Sequence, residues 1–88
     1  MTDIRRKVRA FVVENFLFGN EDAVKDDTSF LDEGIIDSTG ILEMVSYLEA
    51  EFSISVDDEE LVPENLDSIN NVVAYLQKKL SLTEPAEA

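Results

Sequence analysis

Asp37-Ser38-Thr39-Gly40-Ile41-Leu42-Glu43-Met44-Val45-Ser46-Tyr47-Leu48-Glu49-Ala50-Glu51-Phe52 decides how this chain folds. Ile41, Leu42, Val45, Leu48 and Phe52 recur at spacings of one, three and four. That lays them along one side of a helix, with Glu43, Glu49 and Glu51 on its other faces. Asp37 and Ser38 carry the short side-chain oxygens that cap helix starts, so the helix is predicted to run from Asp37 or Ser38 to Phe52. Gly40 in its first turns costs on the order of 1 kcal/mol relative to alanine. Something other than helix propensity put it there.

Upstream, Ile4, Val8, Phe11, Val12 and Phe16 form a second apolar stripe. They predict a helix over about residues 3–18, capped by Thr2 or Asp3 and ended by Gly19-Asn20. Residues 19–36 between the two helices are mostly acidic and polar. They read as a long loop pinned to the core by Phe30, and loops of this length tend to be functional or disordered. Downstream, Ser53–Val56 is expected to be extended. Asp57–Leu61 suggests one short helical turn whose acidic start suits the positive end of the helix dipole, with Pro63 stopping it. A last helix is predicted over about residues 68–80, capped by Asp67 or Ser68. Its buried side is Ile69, Val72, Val73, Leu76 and Leu80, and Lys78-Lys79 lie favourably at its C-terminal end. The expected fold is all-α: a small four-helix bundle with three longer helices, a short third helix and a long first loop. Residues 1–82 form one domain and 83–88 a flexible tail.

Charge narrows the partners. The chain has 88 residues and carries 20 Asp and Glu against 7 Lys and Arg, a formal net charge of -13. Its bases are confined to Arg5, Arg6, Lys7, Arg9, Lys25, Lys78 and Lys79, so residues 26–77 contain none. Such a surface repels nucleic-acid phosphates and anionic lipid, and its natural complement is a basic protein partner. No apolar run approaches a membrane span and the N-terminus does not read as a signal peptide, so cytoplasmic residence is expected.

Without histidine, a serine nucleophile lacks its usual general base, and without histidine or cysteine there is no structural zinc site. The carboxylates at 57–60 lack the alternation and glycine of a calcium loop. No metal site and no intrinsic catalysis are therefore expected. Any thiol chemistry must come from a group bound to the chain. Ser38 instead fits an acceptor hydroxyl modified by another protein, because unpaired N–H groups and the dipole at a helix start stabilise an attached phosphate. The plainer alternative is that Asp37 or Ser38 only caps the helix.

Taken together, these residues resemble the acyl carrier protein family, whose members carry phosphopantetheine on the serine of a short Asp-Ser motif at the start of their second helix. The similarity rests on Asp37-Ser38, on Ser29-Phe30-Leu31 upstream, on the run from Glu43 to Phe52, and on Leu66-Asp67-Ser68-Ile69 before the last apolar helix. It implies covalent 4'-phosphopantetheine at Ser38, with Asp37 as motif neighbour, donated from coenzyme A by a phosphopantetheinyl transferase. Cargo would ride as a thioester on the terminal thiol. Activating ligases and downstream transferases with basic surfaces would meet the second and third helices at Thr39, Leu42, Glu43, Ser46, Glu49, Asp57, Asp58 and Glu60. The carrier would act as a monomer.

Many fatty-acid carriers follow the serine with Leu and Asp, where this chain has Thr39 and Gly40, and Ser46 and Ala50 replace positions that are often a hydrophobe and an acid. Gly34-Ile35-Ile36-Asp37 looks more like the approach to the serine in aminoacyl, peptidyl and D-alanyl carriers. A specialised pathway with an aminoacyl or unusual acyl cargo is the expectation. The residues leave one rival open, an unmodified acidic helical adaptor that binds a basic protein surface.

Overall fold

The structure, a computed structural model, describes residues 2–83. Helix α1 spans Thr2–Phe16, α2 Ser38–Phe52, α3 Pro63–Leu66 and α4 Ile69–Thr83, with single 3-10 turns at Glu21–Ala23 and Asp58–Glu60. Among the described residues there is no strand. The caps proposed at Thr2 or Asp3 fall on side chains outside those described. Of the tail expected over 83–88, Thr83 closes α4 and residues 84–88 lie outside the described residues.

One core joins the helices. Val8, Val12 and Val13 of α1 meet Met44, Val45 and Leu48 of α2, Leu66 of α3, and Ile69, Val72, Val73, Tyr75 and Leu76 of α4. The connections add Val24, Phe30, Ile36 and Ile54. A second seam, aromatic and half-buried, runs between α1 and α2, where Phe11 stacks on Tyr47 at 4.3 Å between centroids and meets Phe16 edge-on at 5.8 Å.

The long loop is held at several points. Phe30 is fully buried, which contributes roughly 1.5–3 kcal/mol by area alone. Its N–H donates to the Asp67 carbonyl at 2.7 Å, and the Asp67 carboxylate accepts from the Ser29 hydroxyl and the Leu31 N–H. Further back, the Asn70 N–H donates to the Asp26 carbonyl at 2.9 Å. The Asp26 carboxylate accepts from Arg5 and Arg9 of α1 at 3.1 and 3.2 Å. Of the two caps weighed for α4, Ser68 takes the role: its Oγ accepts from the Asn71 N–H at 3.1 Å, while Asp67 ties down the loop.

Pro63 does not stop a helix; it starts α3. Its ring fixes a helical φ, and its missing N–H falls among the first-turn donors that have no intrahelical acceptor, so the first helical position suits it. The short helical turn expected over 57–61 appears as the 3-10 turn Asp58–Glu60, with α3 following it. Helix α1 ends at Phe16, two residues earlier than the pattern suggested, because Phe18 and Gly19 take left-handed backbone at φ 54° and 86°. The Gly19 N–H then turns back to the Val13 carbonyl at 2.9 Å.

Candidate functional site

Both residues weighed as the cap of α2 are accounted for. Asp37 is the cap: its backbone is extended and its Oδ1 accepts from the Gly40 N–H at 2.8 Å. Ser38 becomes the first helical residue, exposed, and its hydroxyl makes no hydrogen bond to the described residues. The Ser38 and Thr39 N–H groups have no acceptor within the helix, so the positive end of the dipole opens beside that hydroxyl. An anionic phosphodiester on Ser38 Oγ fits this environment. Among the described residues, no carboxylate other than the capping Asp37 is hydrogen-bonded at this helix start.

Gly40 has a packing reason. A Cβ added there would lie 2.8 Å from Ile36 Cγ2 and 2.9 Å from Phe16 Cε1, closer than real contacts allow. The missing side chain lets the end of α1 and the loop press against the first turn of α2, and this fixes where Ser38 sits. The anomaly is visible in the sequence, but its cause lies in residues far along the chain.

Beside Ser38 runs a groove of about 320 Å³ between α2 and the 61–67 segment, lined by Leu31, Ser38, Ile41, Leu42, Leu61, Val62, Pro63, Leu66 and Asp67. Leu42, assigned both to the buried stripe and to a contact role, is 57% exposed and sits on the groove rim. Val45 and Leu48 lie in the core and not in the groove wall. The sequence reading missed Val62, Pro63 and Asp67 as lining residues. Leu31 carried a signal, as the exposed partner of buried Phe30.

The acidic residues assigned to partner binding divide into two groups. Glu43, Asp57 and Asp58 are exposed, as are Thr39, Ser46 and the motif neighbour Asp37. Glu49 is turned inward, its Oε2 accepting from the Val56 N–H at 2.8 Å. Glu60 is tied to α4: its Oε1 accepts from Lys79 Nζ at 2.8 Å, the Tyr75 hydroxyl at 2.8 Å and the Asp57 N–H at 3.0 Å. The Lys79 ammonium, then the Asp57 N–H and the Tyr75 hydroxyl, hold the Glu60 carboxyl at a pKa of about 2. Burial, reinforced by Glu60, pushes the Tyr75 phenol up. Glu60 therefore holds the groove wall in place against α4. Among the described residues no group of three or more acidic, histidine or cysteine side chains is arranged to hold a metal ion.

Residues 7–76 match the family described as the phosphopantetheine attachment site. The chain is 38% identical over 76 residues to an acyl carrier protein of Bdellovibrio bacteriovorus, covering 86% of this chain and 94% of that protein. It is 39% identical over 75 residues to an acyl carrier protein of Akkermansia muciniphila, covering 85% and 90%. To one from Petrotoga mobilis it is 32% identical over 82 residues, covering 93% of each.

Proposed function

The chain belongs to the acyl carrier protein family, and we propose that Ser38 is the residue on which it carries its 4'-phosphopantetheine. Members of this family are carriers and not catalysts, served by a phosphopantetheinyl transferase and by acyl-handling enzymes. The prosthetic group supplies the thiol that a chain without cysteine lacks. The observation that carries the choice of Ser38 is the division of labour at the start of α2. Asp37 caps the helix, so the neighbouring hydroxyl is exposed, uncommitted and set among unpaired N–H groups.

The partner face of this proposal comprises Thr39, Leu42, Glu43 and Ser46 on α2, with Asp57 and Asp58 across the groove. Glu49 and Glu60 support that face from inside. Exposed acidic side chains of this kind set encounter rate and partner choice more than affinity. No helix among the described residues is long and apolar enough to cross a membrane, and a monomer working in the cytoplasm is the proposed setting.

Thr39 and Gly40 following the serine support a specialised aminoacyl or unusual acyl cargo, since they leave neither a hydrophobe nor a charge next to the arm. The apolar groove gives an aliphatic cargo somewhere to lie. Melting temperature separates the two: an inserted aliphatic chain raises it, and an aminoacyl group held outside leaves it unchanged.

Intact mass tests the attachment. Incubation with coenzyme A and a broad-specificity phosphopantetheinyl transferase should add one phosphopantetheine to the protein and none to Ser38→Ala. A gain that survives Ser38→Ala would place the arm elsewhere, and no gain on the parent protein would overturn the reading.

A further inference from the structure

Phe18 is the one large apolar residue, among those described, that lies almost wholly in solvent, at 98% exposure. Its backbone is left-handed at φ 54°, a conformation that glycine adopts freely and that a side chain makes costly. The turn it makes, returning the Gly19 N–H to the Val13 carbonyl, needs only the backbone. Local conformation therefore disfavours a phenyl group at this position, and packing offers it nothing in return.

Its place in the fold is specific. Phe16, two residues earlier, reaches Gly40 on the first turn of α2, so the end of α1 lies at the Ser38 end of the bundle. Chain geometry keeps the Phe18 and Ser38 Cα atoms within about 22 Å of each other. A standard protein interface of about 800 Å² per partner is roughly 30 Å across, wide enough to take in both residues when Ser38 lies toward its edge. Leu31 and Leu42, the other exposed large hydrophobes, flank Ser38 on its groove side. Glu14, Glu21 and Asp22 are exposed near Phe18 in the chain.

We propose that Phe18 is an anchor for the enzyme that modifies Ser38, its ring seated in an apolar socket with a basic rim on the phosphopantetheinyl transferase. Aromatic residues are enriched in interfaces, where a few well-seated side chains carry most of the binding energy. The acidic neighbours of Phe18 call for the basic rim. This inference rests on the carrier reading above and adds to it a contact outside α2 and α3.

The test is arm attachment to the full-length unmodified protein, using coenzyme A, the same broad-specificity transferase, and intact mass as the time-resolved readout. Phe18→Gly is expected to raise KM about tenfold at unchanged kcat, and Phe18→Leu to restore most of the loss. Because glycine suits the backbone here, the melting temperature of Phe18→Gly should stay level or rise by up to about 5 °C. A structural role predicts the opposite, a lower melting temperature with KM intact. A KM within twofold of the parent, or a clear fall in melting temperature, overturns the anchor while the mass gain still supports attachment. No mass gain on the parent protein overturns the carrier reading and the anchor together.

Discussion

The start of α2 and the segment over residues 57–67 face each other across the groove, and the acids of the two are put to different use. At the start of α2, one carboxylate caps the helix, leaving Ser38, Thr39, Leu42 and Glu43 exposed and uncommitted. Across the groove, Glu60 and Asp67 engage their carboxylates inside the molecule, Glu60 with α4 and Asp67 with the long loop. In the proposed reading the exposed groups of both sides, Asp57 and Asp58 included, meet a partner, while Glu60 and Asp67 hold the shape against which they are presented. A count of acidic residues cannot separate these roles, because the difference lies in which oxygens already have donors.

Asp67→Ala attacks the holding side where most depends on it. The change takes the charged acceptor away from the part-buried Ser29 hydroxyl and the exposed Leu31 N–H but keeps the Phe30 N–H bond to the carbonyl of residue 67. Stability measured by urea unfolding should fall by about 2–3 kcal/mol. The folded fraction should still accept phosphopantetheine at Ser38. A loss below about 0.5 kcal/mol, the usual range for a surface change, would erase the distinction between the two sides.

Glu60→Gln comes next, at about 1–2 kcal/mol near neutral pH, since glutamine cannot pair with the Lys79 ammonium as a carboxylate does. The folded-state pKa of about 2 lies below the ordinary 4.5. The contribution of Glu60 is therefore full above pH 4.5 and disappears as pH falls toward 2. The stability gap between parent and variant should close across that window. Taking the difference cancels the titration of the remaining carboxylates, and a gap that persists at the acid end would place the effect in packing and not in charge.

Asp37→Ala sharpens the comparison from the presenting side. Loss of an N-cap costs about 1 kcal/mol, whereas Ser38→Ala, which removes a hydroxyl with no partner among the described residues, should change stability by under about 0.5 kcal/mol. Asp37→Ser should restore most of the cap. If Ser38 takes over as cap in Asp37→Ala, stability recovers and arm attachment slows, since the accepting oxygen is now engaged.

Much of this was legible in the sequence where one residue speaks through local pattern. Phe30 is a lone aromatic in a polar loop and is buried. Asp37-Ser38 sits at a helix start, and the apolar stripes of α1 and α4 mark their inward faces, whereas that of α2 includes the exposed Leu42 and leaves out the fully buried Met44. What stayed illegible depends on distant partners. Tyr75 adjoins the stripe of α4 and is buried, because its hydroxyl finds Glu60 fifteen residues away. Glu49 and Glu60 look in sequence like Asp57 and Asp58. Pro63 reads equally as an end or a beginning until the residues after it are seen to coil. Gly40 could be flagged as out of place, but its reason is the pressure of Phe16 and Ile36.

The smallest expected effect is also the most discriminating. Neutralising Glu43 and Asp58 together, as Gln and Asn, removes two exposed charges that hold nothing in place, so stability should stay within about 0.5 kcal/mol. If these charges steer basic enzymes toward Ser38, arm attachment at low ionic strength should slow by about two- to threefold, with the loss confined to kcat/KM. It should vanish near 0.5 M salt, where screening shortens the reach of exposed charges to a few ångströms. A general loss of negative charge would produce the same slowing from any pair of sites. The control is therefore Glu51→Gln with Asp27→Asn, two exposed acids outside the groove and away from Phe18 in the chain. Equal slowing by both pairs would make the acidic face a matter of net charge alone. Slowing by Glu43 and Asp58 only would tie recognition to the side of the groove on which Ser38 stands and to the turn opposite it.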